Sequence, residues 1–198
     1  LEGIDAPDGD DEEDGKTATF PFLGRLFGGQ NGDAPAPADG AADGLPVRVL
    51  TSAGRFLAMA VYNPRSQISL RILSRRDEPI DGAFIRGRVR RALDYRRRFA
   101  DLNSCRLIFA ESDGLPAVIA DKFGDVIVLQ ILCLGMERFK GDIVDALAQE
   151  LSPRGIYERN DVPVRELEGL SQQTGLLFGR QLGEAHLEGV DLAQGRIA

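Results

Sequence analysis

Short apolar runs separated by turn signals occupy the stretch that follows residue 45. Runs of this kind, rich in Val, Ile, Leu and Phe, are typical of β-strands. The predicted strands are Val47 to Leu50, Phe56 to Tyr62 and Ile68 to Leu73, with a turn at Ser52-Ala53-Gly54 and a break at Asn63-Pro64. We interpret this block as part of a small β-barrel.

The next block changes to helical spacing. Asp81 has the side chain of a helix N-cap, and apolar residues then recur every three or four positions to about Phe99. The apolar positions are Ile85, Val89, Ala92 and Leu93. The remaining faces carry Arg86, Arg88, Arg90, Arg91, Arg96, Arg97 and Arg98. The pattern therefore predicts a helix with one buried face and a strongly basic remainder.

From residue 105 onward, strand and helix patterns alternate. Runs that are apolar on both faces predict strands covered on both sides. The predicted strands are Arg106 to Ala110, Ala117 to Ala120, Val126 to Leu132, Gly155 to Glu158 and Thr174 to Gln181. The predicted helices are Met136 to Leu151, ended by Pro153, and the short segment Val162 to Glu168. We summarise residues 105–181 as a compact α+β unit in the order β, β, α, β, α, β.

Residues 1–45 differ from everything after them. They are rich in Asp, Gly, Ala and Pro, a composition that cannot bury enough apolar surface to offset the entropy of ordering. We predict a disordered acidic segment. An apolar island from Phe20 to Phe27 interrupts it, which we interpret as a loosely held insertion; docking on a partner or on the folded body is the alternative.

Charge is distributed unevenly along the chain. The 198 residues contain 24 Lys+Arg and 31 Asp+Glu, a formal charge of −7. Residues 1–46 hold eleven acids and two bases, whereas residues 65–106 hold twelve arginines and five acids. Because affinity for phosphate depends on a local basic patch, the acidic average does not exclude a polyanionic partner. The arginines could equally form a solvated helix face with internal ion pairs.

The chain contains none of the common catalytic or phosphate-binding motifs. It has no Gly-x-Gly-x-x-Gly, no phosphate loop ending in Gly-Lys-Ser and no Gly-x-Ser-x-Gly. Cys105 and Cys133 lie among Leu and Ile, which predicts buried thiols with a raised pKa. His186 is interpreted as a surface residue, and one histidine with two cysteines is too few for a usual zinc site. We therefore assign no catalytic, cofactor-binding or metal residue.

Localisation follows from the same composition. No apolar run reaches the roughly 18 residues of a membrane span, and the first residues are acidic, unlike a secretory signal. Two cysteines make no disulfide framework. We expect a cytoplasmic protein.

Two polar clusters admit two interpretations each. They are Glu111-Ser112-Asp113-Gly114-Leu115-Pro116 and Tyr157-Glu158-Arg159-Asn160-Asp161. Neighbouring carboxylates could do acid-base chemistry. Asp113-Gly114 followed by Pro116 favours a turn instead, and the second cluster could be an ion-pair knot at the end of a strand.

An ordered series of motifs from about Leu50 to Gly175 resembles one family. The motifs are Gly54-Arg55-Phe56-Leu57-Ala58, Tyr62-Asn63-Pro64-Arg65-Ser66-Gln67-Ile68, Arg71-Ile72-Leu73, Glu78-Pro79-Ile80-Asp81, Arg106-Leu107, the cluster from Glu111 to Pro116, Tyr157-Glu158-Arg159 and Glu168-Gly169-Leu170. They resemble S-adenosylmethionine-dependent 23S rRNA cytosine-C5 methyltransferases with an N-terminal PUA domain.

The resemblance implies a fold and its divisions. The expected class is α+β, with a partial PUA-like β-barrel followed by a small α+β middle domain and preceded by the disordered acidic segment. The implied divisions are the segment 1–45, the barrel 46–78, an arginine-rich helix and linker 79–104, the middle domain 105–183, and 184–198 as the entry to a Rossmann-like methyltransferase domain.

The resemblance also implies a division of labour. In that family the Rossmann-like domain binds S-adenosylmethionine and carries the catalytic cysteine. We expect that domain to be absent here, so this chain alone would hold no cofactor and be inactive, and Cys105 and Cys133 would not take the catalytic role. Structured RNA, in particular 23S rRNA, is the implied partner.

Individual contact residues are predicted as well. The RNA-binding candidates are Arg65, Arg71, Arg86, Arg88, Arg91 and Arg97. A standalone RNA-binding module and a dimerisation element, each without catalytic activity, are the interpretations left open beside the methyltransferase.

Overall fold

The computed structural model of the protein describes residues 18–22, 43–180, 190–191 and 196–197. Within these residues the fold is α+β, as the sequence predicts. It consists of a four-stranded N-terminal sheet, a long helix, and a five-stranded sheet with further helices.

The N-terminal sheet has the strand order β1-β2-β3-β4. Its strands are β1 (Ala18–Phe22), β2 (Pro46–Thr51), β3 (Phe56–Tyr62) and β4 (Leu70–Ser74). β1 runs parallel to β2, and the other neighbours are antiparallel. The three strands predicted from apolar runs are confirmed, although the third begins at Leu70 instead of Ile68. The block interpreted as part of a small β-barrel is thus present as a four-stranded sheet.

β1 lies inside the segment that composition predicts to be disordered. Its backbone pairs with β2, with Ala18 opposite Val47 and Phe22 opposite Thr51. The prediction of disorder rests on the average composition of the whole segment, in which the acidic neighbours outweigh these five residues. An open strand edge can nevertheless order a short segment through backbone hydrogen bonds alone. The apolar island therefore begins on the folded body, the alternative to a loose insertion. Residues 1–17 and 23–42 lie outside the described residues.

The arginine-rich segment forms one helix, α1 (Gly82–Phe99). Its start is set by Asp81, whose side chain accepts a hydrogen bond of 2.8 Å from the Phe84 backbone nitrogen. Arginines in the last turn lie where the helix dipole favours positive charge. Ile85, Val89 and Leu93 are fully buried, so the predicted apolar face is confirmed.

The second sheet has the order β5-β6-β7-β8-β9. Its strands are β5 (Ser104–Phe109), β6 (Val118–Phe123), β7 (Val126–Ile131), β8 (Gly155–Asn160) and β9 (Gln173–Gly179). Only β7 and β8 are parallel; the other neighbours are antiparallel. All five strands predicted from residue 105 are present, with β6 and β7 joined as a tight hairpin by Gly124 and Asp125. The summarised order β, β, α, β, α, β is wrong by one strand, because three strands and not two precede the first helix.

The helix predicted from Met136 to Leu151 is two helices. They are α2 (Leu134–Glu137) and α3 (Lys140–Leu151), separated at Phe139, where φ is −97° and ψ is 12°. The Phe139 ring is 9% exposed and packs in the core, which fixes the chain at the break. Helix α4 (Val164–Leu167) follows β8, and two short strands, β10 (Val190–Asp191) and β11 (Arg196–Ile197), pair with each other.

One apolar core joins the N-terminal sheet to the rest. Met59, Val61 and Leu73 of β3 and β4 belong to the same buried cluster as Ile85 and Leu107. The two sheets and α1 therefore hold fixed relative positions. No helix of the described part combines the length and the apolar character needed to cross a membrane.

Candidate nucleic-acid interface

Helix α1 has one polar flank that faces α3. There the Arg86 guanidinium pairs with Asp142. Arg90 and Arg97 both reach the Glu150 carboxylate, at 2.8 and 3.2 Å. We call Arg86, Arg90 and Arg97 the paired flank. Because α3 supplies an acid to each, this flank matches the interpretation of the arginines as an ion-paired helix face.

The other polar flank of α1 has a different character. It carries arginines and aromatic rings, each three or four residues from another member of the set, which places them in one row. We call this row the open stripe; it consists of Phe84, Arg88, Arg91, Tyr95, Arg98 and Phe99. Among residues 43–180, neither Arg91 nor Arg98 has an ion-pair partner.

Arg88 is held by neutral groups instead of an acid. Its Nη2 donates a 2.9 Å hydrogen bond to the Leu73 carbonyl oxygen, and its guanidinium lies 4.8 Å from the centre of the Phe84 ring. Burial lowers the pKa of Arg88, and the positive charges of Arg91 and Arg76 lower it further, against the opposing effect of Glu78. The guanidinium is thus partly buried beside Arg91, with no carboxylate hydrogen-bonded to it among residues 43–180, an arrangement that a bound anion would relieve.

Shallow grooves run along both sides of Tyr95. One is lined by Gly87, Arg90, Arg91, Asp94, Tyr95 and Arg98. The other is lined by Arg88, Arg91, Ala92, Tyr95, Arg96 and the loop from Glu111 to Gly114. Arg91 and Tyr95 line both grooves and form the ridge between them.

The acids beside these grooves are largely neutralised. Asp113 accepts hydrogen bonds of 2.6 and 2.7 Å from the two terminal nitrogens of Arg96. Asp94 pairs with Arg97 at 2.7 Å. Glu111 lies 3.6 Å from Arg71. With these carboxylates engaged, the unpaired arginines set the sign of the local potential, which is positive.

Exposed aromatic rings complete the open stripe. Tyr95 is 58% exposed and Phe99 is 74% exposed, and their ring centres lie 5.0 Å apart. The Arg96 guanidinium lies 5.4 Å from the centre of the Tyr95 ring. A surface of arginines and accessible rings can bind phosphates and stack on planar bases.

The structure divides the six predicted RNA-binding arginines into two on the open stripe and four that pair with carboxylates. Only Arg88 and Arg91 lie on the open stripe. Arg86 and Arg97 lie on the paired flank, and Arg65 pairs with Asp43 at 3.0 Å. The candidates engaged by carboxylates are thus Arg65, Arg71, Arg86 and Arg97.

Arg71 is the most enclosed of these candidates. Its side chain is 16% exposed and pairs with Glu168 at 3.0 Å and with Glu111 at 3.6 Å. A guanidinium in this position joins elements of the fold and presents little surface to a ligand.

Sequence reasoning missed several members of this surface. Tyr95, Arg98 and Phe99 were not proposed as contacts, although their spacing from Arg88 and Arg91 places them on the same face. Arg76, in the exposed connection after β4, was missed as well. A search for arginines and aromatics at intervals of three and four would have found the row.

The first polar cluster is a turn, as its spacing favours. Asp113 accepts a 2.6 Å hydrogen bond from the Phe109 backbone nitrogen at the end of a short 3-10 helix, Ala110–Asp113. Gly114 follows in the left-handed region with φ of 68°. Because Asp113 is also bound by Arg96, its carboxylate serves the fold and is unavailable as a base.

The second cluster is an ion-pair knot, one of the two interpretations that the sequence left open. Glu158 accepts hydrogen bonds of 2.9 Å from Lys140 and from the Asn160 side chain. Arg159 binds both oxygens of Asp161 at 2.9 Å. These contacts hold the end of β8 and leave no pair of neighbouring free carboxylates there.

The prediction of buried thiols is confirmed for Cys133, whereas Cys105 lies on the first strand of the second sheet and is only partly buried. Cys133 is 1% exposed, and burial raises its pKa to about 11. Cys105 is partly exposed, and burial raises its pKa as well. His186 lies outside the described residues. Within the part that the structure describes, no three His, Cys, Asp or Glu side chains are grouped as metal ligands.

Comparison with known families and curated proteins gives two kinds of match. The model of a PUA-like domain matches residues 31–75. "Ribosomal RNA large subunit methyltransferase I" of Pseudoalteromonas translucida is 46% identical over 142 residues, which cover 70% of this chain and 36% of that protein. The protein of the same name from Vibrio cholerae is 42% identical over 139 residues, 69% of this chain and 35% of its own length. The chain thus spans about a third of these relatives.

Solved structures share the fold. A putative SAM-dependent methyltransferase from Streptococcus mutans superposes with a TM-score of 0.59 at 20% identity, covering 72% of this chain and 37% of that one. A putative methyltransferase solved in complex with SAH superposes with a TM-score of 0.60, also at 20% identity, over 72% of this chain and 36% of that one.

Proposed function

We propose that this chain is the RNA-binding and substrate-positioning part of an S-adenosylmethionine-dependent rRNA (cytosine-C5) methyltransferase. The observation that carries the proposal is the open stripe, whose arginines lack carboxylate partners among the described residues. The similarity to large-subunit rRNA methyltransferases and the PUA-like match support RNA as the polyanion. Binding of 23S rRNA, in the cytoplasm, belongs to the same proposal.

Arginine is well suited to this task. Its planar guanidinium can donate two parallel hydrogen bonds to a phosphate and keeps its charge at any physiological pH. Each phosphate that it neutralises releases condensed counterions, so affinity falls as salt rises. The arginines of the paired flank already neutralise Asp142 and Glu150 and would have to exchange those partners for phosphates.

The chemistry of cytosine methylation supports a positioning role for these residues. C5 of cytosine becomes nucleophilic only after a thiolate adds at C6, and a base must later remove the C5 proton. Neither thiol of the described residues favours that role: Cys133 is buried and its pKa is raised to about 11, and burial raises the pKa of Cys105 as well. The described part of the chain therefore contributes by holding RNA in place.

RNA binding is tested with the purified chain. Fluorescence anisotropy with structured fragments of 23S rRNA, repeated at several salt concentrations, should show binding that weakens steeply as salt rises. Absence of binding at low salt, or binding indifferent to salt, would overturn the proposal.

The cytosine specificity is tested in the organism that encodes the chain. Disruption of the gene should remove one 5-methylcytidine from 23S rRNA, detected by bisulfite sequencing of the RNA. If the modification pattern is unchanged while the purified chain still binds rRNA, the chain is an RNA-binding module without this methylation.

A further inference from the structure

Two rings of the open stripe, Tyr95 and Phe99, lie away from the buried face of α1 and are largely exposed. Among residues 43–180, their aromatic contact is with each other, and the Arg96 guanidinium lies over the Tyr95 ring. A single exposed apolar side chain is ordinary, but two large neighbouring rings that stay largely open to water mark a contact surface.

Charge complementarity identifies the kind of occupant. Arg91 and Arg98 flank Tyr95 on the same row without ion pairs among the described residues, and Arg88 completes the row. An occupant of this surface must therefore combine negative charge with flat apolar faces. RNA has both, but in a duplex the faces of the bases are stacked on one another and are inaccessible.

From these observations we infer that the open stripe binds single-stranded RNA, with one or two unpaired bases stacked on Tyr95 and Phe99 and the neighbouring phosphates held by Arg91 and Arg98. This inference rests on the proposed RNA-binding function and makes it specific. Arg96 supports the stacking platform, because its guanidinium lies over Tyr95 while Asp113 fixes its orientation.

The spacing of the row agrees with a strand that follows the helix. Residues seven apart lie about two turns, or roughly 10 Å, apart along the helix axis, so Arg91 and Arg98 can contact phosphates on either side of bases placed on Tyr95. Stacking on an aromatic side chain tolerates any base, because every base has a flat face. The site would select unpaired RNA while reading little of its sequence.

The test compares two RNAs and two kinds of variant. The RNAs are a single strand of about 12 nucleotides and a hairpin duplex of similar length. The aromatic variant is Tyr95→Leu with Phe99→Leu, and Tyr95→Phe is its conservative partner. Leucine keeps helix propensity, and both rings are exposed, so the fold should persist; thermal unfolding checks it.

The aromatic double variant should bind the single strand about tenfold or more weakly, with an unchanged salt slope and unchanged duplex binding. Tyr95→Phe should retain wild-type affinity, because stacking needs the ring and not the hydroxyl. Arg91→Gln should weaken binding of both RNAs and lower the salt slope by about one unit.

The outcomes separate the inference from the function on which it rests. If the aromatic variant loses nothing, or loses equally for both RNAs, while Arg91→Gln weakens binding, stacking on the stripe is wrong and RNA binding stands. If Arg91→Gln and the aromatic variant both leave the affinity for both RNAs unchanged, the open stripe is not the RNA surface and both claims about it fail.

Discussion

Arg71 of β4 and Glu168, directly after α4, form a buried ion pair with 3.0 Å between Nη2 and Oε1. The Glu168 side chain is 4% exposed and also accepts hydrogen bonds from Ser66 and from Asn63. Ser66, Asn63 and Arg71 belong to the N-terminal sheet and its β3 to β4 connection, whereas Glu168 belongs to the α+β unit. One carboxylate thus ties the two parts together beside their shared core.

Glu168→Gln should destabilise the protein by about 2 kcal/mol, because the largely buried Arg71 charge is left with only its longer contact of 3.6 Å to Glu111. Urea unfolding of both proteins measures the difference. Glu166→Gln is the matched control: Glu166 is exposed, and its hydrogen bond from Gln172 can be kept by the amide oxygen, so the change should stay within about 0.5 kcal/mol. Equal stability of the two variants would contradict the role of Glu168.

The same carboxylate predicts a pH dependence. Burial alone would raise the pKa of Glu168, but hydrogen bonds from Ser66, Arg71 and Asn63 outweigh burial and lower the pKa below its ordinary value. The unfolded state then binds the proton more readily than the folded state, so this contribution to stability is complete above the ordinary pKa of glutamate, near 4.3, and disappears as pH falls through the lowered folded value.

Stability measured from pH 7 down to pH 3 should therefore fall less steeply in Glu168→Gln than in the wild type. The gap between the two proteins should narrow on acidification, since the wild type loses a contribution that the variant lacks. If the stabilities of the two proteins fell in parallel with pH, Glu168 would not be the source of this pH-dependent contribution.

A glycine pair tests the contact between the N-terminal sheet and α2. A Cβ added at Gly135 would overlap the side chain of Val61, whereas one added at Gly141 of α3 would meet nothing within 4 Å. Gly135→Ala should destabilise by about 1 to 3 kcal/mol through overpacking, and Gly141→Ala should stabilise by up to about 1 kcal/mol through helix propensity. Thermal unfolding shows whether each variant is more or less stable than the wild type. A Gly135→Ala variant as stable as the wild type would contradict the close packing.

Thiol reactivity tests the depth of the core. At pH 8 a disulfide reagent should label the partly exposed Cys105 slowly, because burial raises its pKa, and should leave Cys133 unmodified, because Cys133 is buried and its pKa is raised to about 11. Labelling of Cys133 should require unfolding in urea. Rapid modification of Cys133 in the native protein, followed in a Cys105→Ser variant, would show that the core opens at this point.

Local patterns predicted most of the fold. Helix α1 could be predicted with its ends because its apolar period, the Asp81 cap and its length agree with one another. The division between α2 and α3 could not, because Phe139 continues the apolar stripe and its break depends on packing in the core. Strand β1 could not be predicted either, because it becomes ordered by pairing with the edge of β2, and that edge exists only after β2 has folded.

The candidate surface was only partly predictable, for a related reason. The partners of Arg86 and Arg90 lie 56 and 60 residues later in the chain, on α3, so spacing within α1 could not show which arginines are neutralised. The open stripe differs from the paired flank because the acids of α3 do not lie opposite it. Which arginines face α3 depends on how α1 packs against α3, and the sequence of α1 alone does not show this.

The two polar flanks of α1 should differ in their contribution to RNA binding, and two triple variants compare them. One replaces Arg88, Arg91 and Arg98 of the open stripe with glutamine; the other replaces Arg86, Arg90 and Arg97 of the paired flank. Both remove three positive charges from one helix, so long-range attraction falls equally.

The measurement is the affinity for a 23S rRNA fragment as a function of salt. We predict that the open-stripe variant loses about three units of salt slope, and that the paired-flank variant keeps nearly the wild-type slope. Equal losses in the two variants would contradict the account.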